Sequence, residues 1–153
     1  SKGVNMIFYT DGSASPNPGP GGFGVVQVDT EGNILSTYSS RQDNTTNNEQ
    51  EMKAILYAAC QGVLAKEDVL IYSDSAYAIN TFSNWMYNWE RNGWVKGDGK
   101  VPENLEIVKA FFDISKIIEI TFVKVKGHSK NPFNELADNL ATGKVKPGNY
   151  LTI

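Results

Sequence analysis

Four carboxylates of the chain are the residues best placed to do chemistry. They are Asp11, Asp74, Asp138 and one of Glu49 or Glu51. Asp11 and Asp74 each follow a short apolar run with strand character, and the carboxyl ends of neighbouring parallel strands meet at one edge of a sheet. Carboxylates that converge there repel one another unless a divalent cation neutralises them.

The ligand types select the cation and the reaction. Oxygen ligands without clustered cysteine or histidine indicate Mg²⁺ or Mn²⁺ and argue against zinc. Two such ions activate a water and stabilise the leaving oxygen of a displacement at phosphorus. His128, the only histidine, lies in a polar and basic loop ten residues before Asp138, a suitable place for a mobile proton carrier. The pattern therefore predicts metal-dependent phosphoryl chemistry.

Each of these residues also has an ordinary structural explanation. Asp11 is typical of a turn starter, and Asp74 of a helix cap. Glu51 fits the third position of a capping box that begins at Asn48, and Asp138 fits a solvated position on the last helix. Taken singly, these explanations are the better ones, and only the combination of four carboxylates favours a metal site.

The positioning elements follow from hydrophobic periodicity. The sequence predicts three antiparallel strands, a helix with two overlapping capping boxes at its start (Thr46 with Glu49, Asn48 with Glu51), and then strands alternating with helices. The fold class is α/β, with a mixed five-stranded sheet whose last two strands run parallel to the first and whose faces are flanked by helices. The predicted strands are 4–10, 23–28, 34–40, 69–73 and 119–125, and the later helices are 75–82, 103–116 and 132–142.

Composition predicts one domain over residues 1–153, with residues 143–153 as a C-terminal tail. No signal-peptide pattern or apolar stretch long enough for a membrane is evident, and the single Cys60 suits a reducing compartment. We therefore expect a cytoplasmic monomer without a membrane partner. The formal net charge of −3 becomes +1 when the four candidate carboxylates are left out, so it does not exclude a nucleic-acid partner.

Five segments of the chain together resemble the successive motifs of the catalytic domain of type 1 ribonuclease H. In order they are YTDGSASPNPGPGGFG, TTNNEQEM, YSDSAY, NWMYNWERNGW and VKGHSKNPFNELADNLA. The resemblance covers nearly the whole chain. It implies the ribonuclease H-like fold and endonucleolytic hydrolysis of the RNA strand of RNA·DNA hybrids. The family uses two Mg²⁺ ions, with Mn²⁺ as a substitute, and leaves 5′-phosphate and 3′-hydroxyl ends.

The resemblance also assigns roles to residues. It places the metal ligands at Asp11, Glu51, Asp74 and Asp138 and the mobile histidine at His128, and its TTNN-x-x-E pattern selects Glu51 over Glu49. Positions near the two strands of the hybrid correspond to Gly12, Ser13, Asn17, Asn47, Asn48 and Ser75. Positions of the pocket for a DNA phosphate correspond to Thr46 and Asn104, and the aromatic positions of the DNA channel to Trp85 and Trp89. As a helical pair, the tryptophans equally fit a core or a hydrophobic prop.

Some positions depart from the family pattern. The segment from Glu90 to Lys100, where a strongly basic protrusion is expected, has a net charge of only +1. Asn44 replaces the arginine of the phosphate pocket, for which Arg41 is a candidate substitute, and Ala76 stands where glutamine is frequent. The alternatives are a catalytically silent hybrid-binding or connection-like domain and, within the same superfamily, a DNA strand-transfer or junction nuclease.

Overall fold

One mixed sheet organises the computed structural model, which describes residues 5–127 and 130–148. Within those residues the sheet has five strands in the order β3-β2-β1-β4-β5. The pairs β1·β2 and β2·β3 are antiparallel, and β1·β4 and β4·β5 are parallel, as the sequence predicts. The strands are β1 (Met6–Ala14), β2 (Gly19–Val28), β3 (Ile34–Thr45), β4 (Val69–Ser73) and β5 (Ile120–Lys124).

Helices cover both faces of the sheet. Helices α1 and α4 pack together against one face, with α1 on β1, β2 and β4, and α5 packs on β1 and β2. The helices are α1 (Asn47–Ala65), α2 (Ala76–Asn80), α3 (Met86–Arg91), α4 (Leu105–Ser115) and α5 (Pro132–Thr142). No helix in the described part of the chain is both long and apolar enough to cross a membrane.

Alternation along β1 separates two cores. Phe8 points into the larger core with Met52 and Ile55 of α1, whereas Tyr9 belongs to the smaller core under α5, which includes Leu140. Successive strand side chains point to opposite faces, so adjacent residues of β1 serve different helices. The same strand therefore fixes the positions of both α1 and α5.

The glycine-rich stretch after Asp11 is mostly strand, whereas the predicted strands 4–10 and 23–28 left it as a loop, which is wrong. β1 continues to Ala14 and β2 begins at Gly19, so Asp11 lies inside β1, three residues before its end. A Cβ at Gly24 would overlap the backbone of α5 at Ala137. The glycines of β2 therefore permit close packing of a helix, and glycine content alone did not distinguish this from a loop.

Of the two capping boxes predicted for α1, one is half formed and the other is absent. Thr46 caps the helix and accepts the backbone N–H of Glu49 at 3.1 Å. The Glu49 carboxylate instead accepts the Thr45 hydroxyl at 2.5 Å and pairs with Lys53 at 3.5 Å. Asn48 lies inside the helix, so the box predicted from Asn48 to Glu51 is wrong.

The start of α5 agrees with the sequence in detail. The Asn131 side chain accepts the N–H groups of Phe133 at 2.9 Å and Asn134 at 3.1 Å, and Pro132 takes the first helical position. The helix ends at Gly143, whose φ of 83° favours glycine. Of the predicted tail, residues 143–148 are described, and the Gly148 N–H donates to the Thr37 hydroxyl at 3.0 Å.

The helix predicted at 75–82 extends further than expected. Beyond α2 the chain continues through a π-helical turn, Thr81–Trp85, directly into α3. The Thr81 hydroxyl, buried in the core, donates to the Tyr77 carbonyl at 2.9 Å. A π turn adds a residue to the helical repeat, which a periodicity search based on 3.6 residues does not detect.

Candidate active site

Asp11, inside β1, and Asp74, directly after β4, lie side by side. β1 and β4 are paired in parallel up to Tyr9 and Tyr72, and each aspartate follows two residues later. Asp11 is only 6% exposed and accepts the N–H of Gly12 at 2.9 Å. The parallel pairing therefore brings these two carboxylates to the same place on the sheet.

Glu51 reaches this place because α1 lies directly on β1. Gly12 is buried, and a Cβ on it would overlap the backbone of Gln50 and Glu51. Gln50 itself is buried, and its amide donates to the Thr45 hydroxyl at 2.8 Å and to Gln42 at 3.0 Å. The missing side chain of Gly12 and these two bonds together set where the first turn of α1 presents Glu51.

Three carboxylates form the cluster. Asp11, Glu51 and Asp74 each offer an oxygen, and these atoms lie within 4.8 Å of one another. One oxygen of Glu51 and one of Asp74 are buried without a hydrogen-bond partner among the described residues. Glu49, the alternative in sequence, is instead bonded to Thr45 and Lys53. Unpartnered carboxylate oxygens at this spacing are the donor set that a hard divalent cation prefers.

Burial and mutual repulsion disfavour the charged forms of this cluster. Burial, followed by the charges of Asp74 and Asp138, raises the pKa of Asp11 to about 8. Burial, followed by Asp11 and Asp74, raises the pKa of Glu51 well above its ordinary value. Without a cation the cluster therefore retains protons at neutral pH, and a bound cation would replace them.

Asp138 approaches from the face of the sheet opposite to α1. It lies on α5, half-buried, and its side chain is hydrogen-bonded to Asp11. It is not one of the three residues whose oxygens lie within 4.8 Å of one another. The fourth predicted ligand is therefore adjacent to the cluster through Asp11.

The predicted histidine, His128, lies outside the described residues. Gly127, directly before it, is described, and a Cβ there would lie 3.3 Å from Oδ2 of Asp74. Gly127 thus lies beside the cluster. Sequence reasoning did not single out Gly127, although a glycine next to a candidate catalytic residue is a usable signal of close approach.

Two predicted substrate residues bind each other at the mouth of the β1–β2 hairpin. The Asn17 side-chain oxygen accepts the N–H of Asn47 at 3.0 Å, and the Asn47 side-chain oxygen accepts the N–H of Ala14 at 2.7 Å. Both residues are exposed, so their NH₂ groups are available as donors. Asn48 is half-buried on α1, and Ser13 is half-buried on β1.

The remaining polar candidates are largely built into the fold. The hydroxyls of Thr46 and Ser75 cap α1 and α2, and Ser75 accepts the Ala78 N–H at 3.0 Å. Asn104 precedes α4 in the left-handed region, with φ of 59°, and its carbonyl accepts the N–H groups of Ile107 and Val108. Contacts of these residues with a substrate stay predictions.

The two tryptophans differ in burial: Trp89 is packed on the core, and Trp85 is exposed. Trp89 packs against the larger core, and its carbonyl accepts the N–H of Trp94 at 2.6 Å. Trp85 is 38% exposed and contacts the edge of Tyr77 at 5.7 Å. Only Trp85 presents a large apolar surface to solvent, so it is the better candidate for stacking on nucleic acid.

Arg41 does not replace the missing arginine of the phosphate pocket. Its guanidinium donates to the carbonyl of Ala141 at 2.5 Å, near the end of α5. A cation there stabilises the negative end of the helix dipole. The expectation failed because the predicted strand ended at residue 40, whereas β3 continues to Thr45 and holds Arg41 in the sheet beside the end of α5.

A family model and several known proteins match most of this chain in sequence. The family model described as RNase H matches residues 3–146. A protein named Ribonuclease H from Caldanaerobacter subterraneus subsp. tengcongensis is 42% identical over 142 residues, covering 90% of this chain and 89% of that protein. Ribonuclease H of Chlorobium chlorochromatii is 40% identical over 144 residues, covering 92% and 95%.

Solved structures are similar in fold as well. The solution structure of the PFV RNase H domain has 26% identity and a TM-score of 0.78, covering 97% of this chain and 96% of that one. A crystal structure of LC11-RNase H1 in complex with RNA/DNA hybrid has 28% identity and a TM-score of 0.68, covering 90% and 94%.

Proposed function

The chain belongs to the ribonuclease H family, and we propose that it hydrolyses the RNA strand of RNA·DNA hybrids by a two-metal mechanism, leaving 5′-phosphate and 3′-hydroxyl ends. The observation that carries the proposal is the cluster of Asp11, Glu51 and Asp74, each of which offers an oxygen within 4.8 Å of the others. Glu51 and Asp74 each also have a buried oxygen without a partner among the described residues. All these ligands come from one chain, so a monomer suffices.

The residues present fit hard divalent cations, for which Mg²⁺ is the first candidate and Mn²⁺ the substitute. We assign the ligands as Asp11, Glu51, Asp74 and Asp138. When bound, two such ions would activate a water and stabilise the leaving 3′ oxygen. The chain itself contributes the orientation: β1 and β4 fix the two aspartates, α1 brings Glu51 over Gly12, and α5 brings Asp138 against Asp11.

His128 is assigned to proton transfer or product release. Support comes from its neighbour Gly127, which lies against the Asp74 carboxylate. An imidazole with an ordinary pKa exchanges protons near neutral pH. Its role predicts that replacement by alanine slows turnover and leaves the affinity for the hybrid nearly unchanged.

Recognition of a hybrid requires sensing 2′-hydroxyls on one strand and accepting deoxyribose on the other. The exposed amides of Asn17 and Asn47 supply donors beside the hairpin. The other proposed contacts, which support backbone rather than base recognition, are Gly12, Ser13, Thr46, Asn48, Ser75, Trp85, Trp89 and Asn104. The complex of the similar LC11-RNase H1 with RNA/DNA hybrid supports this substrate class.

The test is cleavage of three labelled duplexes of one sequence, RNA·DNA, RNA·RNA and DNA·DNA, in Mg²⁺. We expect cuts only in the RNA strand of the hybrid, and products with 5′-phosphates. Equal cleavage of all three duplexes would contradict the proposal. Hybrid binding without cleavage in either Mg²⁺ or Mn²⁺ would instead favour the silent binding domain.

A further inference from the structure

A layer of aromatic rings lies next to the carboxylates on the same face of the sheet. Tyr9 and Tyr72 precede Asp11 and Asp74 by two residues on the same strands, so they share a sheet face with them. Their rings are stacked, with centroids 4.4 Å apart and planes 7° apart. Phe133, in the first turn of α5, contacts Tyr9 at 5.3 Å. The layer thus joins the three elements that carry aspartates.

The Tyr9 hydroxyl adds a hydrogen bond between β1 and the start of α5. Tyr9 is only 8% exposed, and its phenol is hydrogen-bonded to the side chain of Asn131, the capping residue of α5. The Asn131 oxygen already accepts the N–H groups of Phe133 and Asn134. The NH₂ group of Asn131 therefore donates to the phenol oxygen, and one carboxamide ties the helix start to β1.

We propose that Tyr9 is a positioning residue for Asp138, and this inference rests on the proposed function of the cluster. Through Asn131 the Tyr9 hydroxyl fixes where α5 begins on β1. An α-helix moves as a stiff unit, so a shift of its capped end changes where Asp138, two turns further on, meets Asp11. Tyr9 touches neither substrate nor metal in this account and acts only through the helix.

The main variant is Tyr9→Phe, which removes the hydroxyl and keeps the stacked ring. Its matched control is Tyr57→Phe, because Tyr57 on α1 is stacked on Tyr38 with centroids 4.2 Å apart and planes 8° apart. Each change removes one hydroxyl from a stacked tyrosine pair. Of the two, only Tyr9 is connected to α5. If loss of any phenol hydroxyl slowed the enzyme, Tyr9→Phe and Tyr57→Phe would have equal effects on kcat. If Tyr9 positions α5, only Tyr9→Phe should lower kcat.

We expect Tyr9→Phe to lower kcat for hybrid cleavage roughly three- to tenfold with KM unchanged, less than the 10–100-fold typical of groups bonded directly to a metal ligand. The Mg²⁺ concentration for half-maximal rate should rise by a similar factor, and calorimetry should show weaker Mg²⁺ binding. Tyr57→Phe should leave all three quantities within about twofold of the wild type.

A second variant, Asn131→Ser, keeps a capping residue but is too short to reach the phenol. If both residues act through one bond, Tyr9→Phe/Asn131→Ser should be no slower than the slower single variant. Equal kcat and Mg²⁺ affinity in Tyr9→Phe and wild type, or multiplicative losses in the double variant, would overturn the inference. A wild-type protein that fails to cut hybrid would refute the proposed function instead, and the comparison of Mg²⁺ affinities would still decide the role of Tyr9.

Discussion

The acidic cluster and the segment 90–100 both bear on hybrid cleavage, but they differ in how tightly the surrounding residues pack against them. The cluster is buried and formed from three packed elements, and Gly12 leaves no space for even one added carbon. In the segment 90–100, Gly97 and Gly99 would meet nothing within 4 Å on gaining a Cβ, and most residues are exposed. The proposed chemistry therefore rests on a tightly packed geometry, whereas the segment 90–100 is a mostly exposed surface that Trp94 anchors to the core.

One carboxylate from each region gives the largest predicted difference. Asp74→Asn removes a cluster ligand, and we expect hybrid cleavage to fall at least about 100-fold, since a metal contributes several kcal/mol to the transition state. Asp98→Asn, in the exposed segment, should stay within about twofold of the wild type. Single-turnover cleavage in Mg²⁺ measures both variants, and comparable losses would remove the distinction between the regions.

Replacing one glycine in each region by alanine compares a tightly packed position with an exposed one. Gly12→Ala forces a methyl group into the backbone of α1, so we expect the free energy of unfolding to fall by about 3 kcal/mol and Glu51 to be displaced. Gly97→Ala meets nothing and should change the stability by less than about 0.5 kcal/mol. Urea unfolding of both proteins checks this. A Gly12→Ala protein as stable and active as Gly97→Ala would show that α1 does not depend on this contact.

The pH dependence of stability tests the repulsion within the cluster. The folded protein holds the Asp11 proton up to a pKa of about 8, against an ordinary value of 3.8. Between these pH values the folded state binds more protons than the unfolded one, so the free energy of unfolding falls as pH rises.

In EDTA this decline should be at most about 6 kcal/mol between pH 4 and pH 8, because the pKa of Asp11 is raised by about four units, each worth about 1.4 kcal/mol, and relaxation of the site lowers the total. Thermal unfolding at several pH values measures it. Asp11→Asn should flatten the profile, whereas Asp98→Asn should not. A wild-type profile that is already flat would mean that repulsion in the cluster is relieved without a cation.

The smallest effect concerns the charge of the exposed segment. Lys100→Gln should weaken hybrid binding less than about threefold at moderate salt and reduce the slope of log affinity against log salt by at most about 1, with kcat unchanged. Binding titrations at several salt concentrations give the slope. A loss of tenfold or more would assign the segment a specific contact that its net charge of +1 does not suggest.

The sequence was most informative where local signals and tertiary structure agree. The strand at 69–73 and the helix at 132–142 have the predicted bounds, because a short apolar run and the pair Asn131-Pro132 mark them unambiguously. The directions of the strands followed from the alternation of strands and helices, and the structure adds that β1 and β4 are neighbours. The cluster of Asp11, Glu51 and Asp74 follows from that order, and the choice of Glu51 came from the family motif.

The sequence was least informative where contact with an element far away in the chain determines the local structure. Gly24 belongs to a strand because α5 packs on it, and Arg41 points to the end of α5. The link from Tyr9 to Asn131 joins residues far apart in the chain. No local pattern contains these contacts.

Calorimetric titration of Mg²⁺ into the protein at pH 7, repeated in two buffers of different ionisation enthalpy, tests the central claim most directly. Because the pKa values of Asp11 and Glu51 are raised, the account predicts that Mg²⁺ binding releases about one proton or more, and that Glu51→Gln weakens binding and reduces the release. Absence of Mg²⁺ and Mn²⁺ binding, or binding without proton release that Glu51→Gln leaves unchanged, would contradict it.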